Sequence, residues 1–154
     1  MVSIAADGRS GRSITSSTGT SLRAASVVSA VPRPWSSTAL TTLAARSDVP
    51  VELVMDLPER PSAAIETIAY FCAAELLTNV AKHSGARHAT LAAVRVPGLL
   101  QVRVSDDGSG GARLGARGGL AGIAERVKTV DGKLQVNSPS GGPTVVTVEL
   151  PLYA

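Results

Sequence analysis

Residues 62–84 carry the longest helical pattern in the chain, and that helix is apolar nearly all round. Ala69, Ala73, Leu76, Leu77 and Val80 face one way, and Tyr70, Phe71, Ala74 and Ala81 cover much of the rest. Ser62 is placed to cap its start and Gly85 to end it. A helix with so little polar surface has to be covered, so the remaining chain must supply layers to pack on it. One strip breaks the pattern. At about 100° per residue, Glu75, Asn79, Lys82 and His83 fall within an arc of about 100°. A carboxylate, an amide and a cation are costly on a buried helix unless they have partners. The strip therefore reads either as a wall of a binding site or as a solvated face on which Glu75 and Asn79 pair one turn apart.

The covering layers are legible as strands. Val51–Leu57, His88–Val96, Leu99–Ser105, Lys133–Ser138 and Thr144–Leu152 alternate or are rich in β-branched residues. Pro58 and Pro61 turn the chain before the helix, and Pro97-Gly98 and the 139–143 segment turn it between strands. A second helix starts near Leu120, carries Ile123, Val127 and Val130 on one side, and stops at Gly132. The order β-α-β-β-loop-α-β-β predicts an α/β two-layer sandwich on a mixed sheet. Aromatic residues make up only 3 %, so its core must be built from Val, Leu, Ile and Ala.

Residues 1–47 are Ser-, Thr-, Ala-, Gly- and Arg-rich with no lasting apolar period, and read as a disordered or weakly ordered basic tail. A short helix over Ser37–Arg46 is compatible with that segment. Residues 48–154 form the folded domain. The tail carries a net charge of +4 and the rest −1, so the high pI does not argue for direct nucleic-acid binding. Cys72, the single cysteine, excludes an intrachain disulfide and fits a reducing, cytoplasmic compartment as a small core residue. No apolar run is expected to reach bilayer-spanning length, so no membrane segment is assigned.

Two loops join the helix strip. After the third strand, Asp106-Asp107-Gly108-Ser109-Gly110-Gly111 puts a carboxylate at a strand end beside glycines that let the backbone approach a ligand. Seven of the fifteen glycines lie between Gly108 and Gly122. Gly118-Gly119-Leu120-Ala121-Gly122-Ile123 then opens a helix, where free amides favour a phosphate. Each loop alone also reads as an ordinary turn or helix start. There is no Gly-Lys-Ser/Thr phosphate loop, and Arg117 interrupts a dinucleotide fingerprint.

Taken in order, these elements resemble the ATP-binding catalytic domain of bacterial two-component sensor histidine kinases, within the gyrase–Hsp90–kinase–MutL ATPase superfamily. The resemblance covers about residues 50–152. Glu75-x-x-x-Asn79-x-x-Lys82-His83 is similar to the N box. Asp106-x-Gly108-x-Gly110 is similar to the first glycine box, and Gly119-Leu120-x-Gly122-Ile123-x-x-Arg126 to the second. Gly141-Gly142-Pro143-Thr144 is similar to the final glycine–threonine motif, and the short lid to kinases that signal to helix-turn-helix response regulators.

The resemblance implies ATP and magnesium as ligands. It implies that Asn79 holds the metal, that Glu75 orients or deprotonates a group near the γ-phosphate, and that Lys82 and His83 line the phosphates. Asp106 would read the adenine amino group in a pocket shaped by Gly108 and Gly110, with Thr144 supporting that end. Gly118, Gly119, Leu120 and Gly122 would cover the phosphates. Arg117 departs from the pattern by replacing a lid glycine, and so either stiffens the lid or brings a cation to the phosphates. Pro143 replaces another glycine and removes an amide. The implied partners are a dimerisation domain carrying a phospho-acceptor histidine and a response regulator with helix-turn-helix output. His83 and His88 are the only histidines, and neither sits in a dimerisation-type helix. The expected function is thus the catalytic module, donating phosphate to a histidine elsewhere. The alternatives are an anti-sigma-type serine kinase that sequesters a partner, or a degenerate nucleotide-binding module.

Overall fold

The computed structural model describes residues 37–115 and 117–153. Its strands are β1 (Val51–Asp56), β2 (Ala89–Val96), β3 (Leu99–Asp106), β4 (Lys133–Asn137) and β5 (Thr144–Pro151). They form one mixed sheet in the order β1-β2-β3-β5-β4. β1 runs parallel to β2 and every other pair is antiparallel. The parallel pair needs a crossover, and the long helix α2 (Ala63–Asn79) provides it. The other helices are α1 (Ser37–Ala45) and α3 (Gly119–Lys128).

Strand alternation sets the core. Leu91 and Ala93 of β2, Leu100, Val102 and Val104 of β3, and Val146, Val148 and Leu150 of β5 are all buried. Ile65, Ala69, Cys72, Ala73, Leu76 and Leu77 of α2, with Ile123 and Val127 of α3, join them in one cluster. Helices packed on a sheet give the expected two-layer α/β arrangement. Burial pushes the Cys72 thiol up to about 11, against a smaller opposing pull from Arg126, so Cys72 is a neutral core side chain.

Ser62 caps α2 by accepting from the Ile65 N–H at 3.4 Å. The helix does not run straight to its end. Its last turn, Val80–Ser84, is a π-turn, and Gly85 closes it at a φ of 63°. The helix is also less enclosed than its sequence suggests: Ala64, Phe71, Glu75, Thr78 and Lys82 form an exposed outer face.

Three expectations change. Residues 37–45 form α1, and its Leu40 is fully buried in the core, so the packed domain reaches into the segment assigned to the tail. Residues 1–36 lie outside the described residues. The helix over Ala63–Ser84 is 22 residues long and holds an 18-residue window of mean hydropathy 1.2, so by length and composition alone it is long and apolar enough to cross a bilayer. Its buried face is used by the sheet. At the end of α3 the positive φ belongs to Asp131 (55°). Gly132 is there for space, since a Cβ would stand 2.7 Å from both the Glu149 carbonyl oxygen and a Val127 methyl.

Candidate functional site

A cavity of about 340 Å³ opens where the end of α2, the β3 terminus and the start of α3 meet. Asn79, His83, Asp106, Gly110, Gly118, Gly119, Leu120 and Thr144 all line it, so eight of the site residues expected from sequence converge. Leu76, Val80, Val104 and Val146 add apolar walls. Leu76 and Val80 had been read as facing away from the strip. They serve core and cavity at once, because the cavity is cut into the edge of the core.

One end is built on the sheet. Asp106 and Thr144 are register partners at the ends of β3 and β5, and both are buried. Asp106 Oδ1 accepts from the Gly108 N–H at 2.9 Å. Its Oδ2 takes no hydrogen bond from the described residues. Burial holds this carboxyl above its ordinary range. The Gly108 bond offsets part of that rise and neighbouring Asp107 adds to it. Thr144 Oγ1 lies 2.7 Å from Ser138 Oγ, which fixes its rotamer.

The glycine loop that follows is tied on both sides. The Ser109 N–H donates to the Ser84 carbonyl at 2.9 Å, and the Gly141 N–H to the Ser109 carbonyl at 2.9 Å. Ser138 Oγ accepts from the Ala112 N–H at 2.9 Å. A side chain at position 108 would collide with the Ser84 carbonyl, and one at 142 with the Gly108 carbonyl. Those two glycines let three chain segments close up behind Asp106. The Gly142–Pro143 peptide bond is cis.

Asp107 has a different task. Its Oδ1 accepts from the N–H groups of Arg87 and His88 at 2.8 and 3.0 Å, pinning the entry to β2. Those bonds hold its carboxyl below the usual range. With its acceptors engaged there, Asp106 is the carboxylate left for a ligand in the cavity.

The other end is the start of α3. Gly118, at a φ of 109°, precedes the helix without a side-chain cap. The first N–H groups of a helix have no intrahelical partners. Gly119 backs directly onto α2. A Cβ there would collide with Glu75 Oε1 and lie 3.2 Å from both terminal atoms of the Asn79 amide. Glu75 itself is exposed and does not line the cavity; its Oε1 lies behind Gly119. Arg113 and Arg117 also line the cavity. Arg117 was visible as a departure from the glycine pattern. Arg113 carried no signal, because a loop arginine has no periodicity to betray its direction.

Some expected residues fall elsewhere. Lys82 lines a separate cavity of about 250 Å³ with Leu43, Asp48 and Leu77. The π-turn causes this. Its i→i+5 bonds widen the helix, so each residue advances by less than the α-helical angle. Lys82 is thereby carried away from Asn79 toward α1, while His83 stays with Asn79 on the main cavity. Gly108 shapes the loop without lining the cavity, and Gly122 is exposed with open space around it.

Comparison with known proteins gives a consistent answer. A family profile described as histidine kinase-, DNA gyrase B- and HSP90-like ATPase matches residues 65–154. Sensor histidine kinase YvfT of Bacillus subtilis is 33 % identical over 88 residues, covering 56 % of this chain and 23 % of that protein. Among solved structures, the histidine kinase domain of a blue-light-activated kinase from Erythrobacter litoralis superposes with a TM-score of 0.60 at 23 % identity. That match covers 75 % of this chain and 57 % of the other. Histidine kinase AdeS of Acinetobacter baumannii gives 0.60 at 16 % identity, covering 75 % and 60 %. The two structural matches establish likeness of fold. The chain spans less than a quarter of its curated relative's length. The match from the first turn of α2 to the C-terminus, over the elements that build the cavity, makes this chain a member of the histidine kinase-, DNA gyrase B- and HSP90-like ATPase family.

Proposed function

We propose that the domain binds ATP with magnesium in the 340 Å³ cavity and donates the γ-phosphate to a histidine on a dimerisation domain. The observation that carries this is the convergence of Asp106 with Thr144, Asn79, and the uncapped start of α3 on that one cavity. Asp106 Oδ2 would accept from the adenine amino group between the apolar walls. The α3 N–H groups would bind phosphate oxygens. Asn79 offers a single amide oxygen, and the described residues contain no group of three His, Cys, Asp or Glu suited to a metal. That donor set fits magnesium carried in on phosphates, which needs only one or two protein oxygens. When bound, the ion would neutralise charge on the transferring phosphoryl group. Glu75, beside Gly119, would orient the incoming imidazole or take its proton while its nitrogen displaces ADP from the γ-phosphorus. This is catalysis by positioning, with no covalent step on the domain itself. A response regulator would receive the phosphoryl group next, in a cytoplasmic phosphorelay.

His83 is fixed on the helix that presents Asn79, and His88 is held by Asp107 at the β2 entry. Neither lies on a dimerisation-type helix, which supports an acceptor supplied by another segment. Incubating the chain with radiolabelled ATP, alone and with a dimerisation bundle from a related kinase, tests this. An acid-labile, alkali-stable label on the bundle alone supports the proposal. Label on this chain alone would contradict it.

A further inference from the structure

We infer that Arg113 and Arg117 supply the cationic half of the phosphate site, in the role the family resemblance implied for Lys82. The inference rests on the nucleotide reading above. Both arginines line the 340 Å³ cavity, whereas Lys82 lines the other cavity against α1. The ion pairs among the described residues engage Arg60, His88 and Arg95, and neither cavity arginine. A guanidinium free of carboxylate partners keeps its planar set of donors for phosphate oxygens. Arg117 stands directly before Gly118-Gly119, where α3 begins with no side-chain cap. Backbone and side-chain donors therefore gather at the same end. Asp106 is the one lining carboxylate, so with two arginines the lining is net positive. Such a lining favours a polyanion.

The ligand class that follows is a nucleoside polyphosphate, with the arginines setting preference for the phosphate chain over the nucleoside. Arg117 takes the place of a lid glycine and lines the cavity directly before Gly118. The departure from the family pattern is thus a relocation of the phosphate-binding cation from α2 to the loop before α3.

The test is a calorimetric titration of the full chain with magnesium and a non-hydrolysable ATP analogue, with adenosine as a second ligand, at low and high salt. Arg117→Ala should weaken the analogue about tenfold, as loss of a charge-assisted hydrogen bond does. The double variant with Arg113→Ala should weaken it further and flatten the salt dependence. Adenosine affinity should stay as in the wild type, and Arg117→Lys should keep part of the lost affinity. Variants that bind the analogue as tightly as wild type, with the same salt dependence, would overturn this inference and leave the nucleotide reading standing. An equal loss of adenosine would also overturn it, because the arginines would then be shaping the pocket. A wild-type chain that binds neither ligand would overturn both.

Discussion

Asp106→Asn separates ligand recognition from stability. Asp106 Oδ1 is held by the Gly108 N–H at 2.9 Å. In the variant only the amide oxygen can accept that bond, so the NH2 group must point where Oδ2 pointed. A donor would then face the adenine amino donor. Flipping the amide restores the adenine contact and leaves the Gly108 N–H facing a donor instead. Either way one charge-assisted hydrogen bond is lost and one donor goes unmatched, costing about 2–3 kcal/mol, or roughly thirty- to 150-fold in ATP affinity. A 6-oxo purine triphosphate, which accepts at that position, should gain on ATP in the variant. Stability should move the other way. Burial raises the folded-state pKa of Asp106, so its ionised form opposes folding at neutral pH, and that opposition is relieved as pH falls through the raised value. The asparagine variant should melt at or above wild type at pH 7, with the gap narrowing as pH falls. Titration calorimetry with both triphosphates and melting curves at several pH values give the answer. Unchanged ATP affinity, or a marked loss of stability at neutral pH, would refute the reasoning.

Leu40→Ala should lower stability by about 2–3 kcal/mol, because the side chain is fully buried in the core; denaturant melts read this directly, and an unchanged midpoint would detach α1 from the domain. Gly119→Ala should weaken analogue binding in calorimetry, since the added methyl displaces the Glu75 carboxylate and crowds the Asn79 amide; unchanged affinity would show that neither group acts on the ligand. Lys82→Ala should change ATP affinity less than Arg117→Ala does, because Lys82 faces the other cavity. Asp107→Ala should lower the melting temperature at neutral pH by freeing the Arg87 and His88 N–H groups. Its folded-state pKa is depressed, so that stabilisation fades as pH falls through the depressed value.

The sheet was legible because Leu100–Ser105 of β3 and Val146–Leu150 of β5 alternate, and alternation reports a half-buried strand. Asp106 was legible only in company: a carboxylate beside glycines alone also reads as a turn, and the helix strip and the second glycine loop are what set it apart. The short helix over 37–46 was allowed for, but its packing on the domain was not legible: Leu40 is a single anchor in a stretch of Ser, Thr and Ala. The direction of Lys82 was lost to the π-turn, which shifts helical phase without any marker in the residues themselves. Arg113 was invisible for want of periodicity in a loop. These failures are local departures from regular geometry, and two of the three lie at the site's margins.

The most direct measurement is a calorimetric titration of the chain with a non-hydrolysable ATP analogue, with magnesium and with the metal chelated, beside the Asn79→Ala variant. One saturable site is expected in the wild type, weaker without magnesium, with a variant that no longer responds to the metal. No heat at millimolar analogue, or binding indifferent to both magnesium and Asn79, would contradict this expectation.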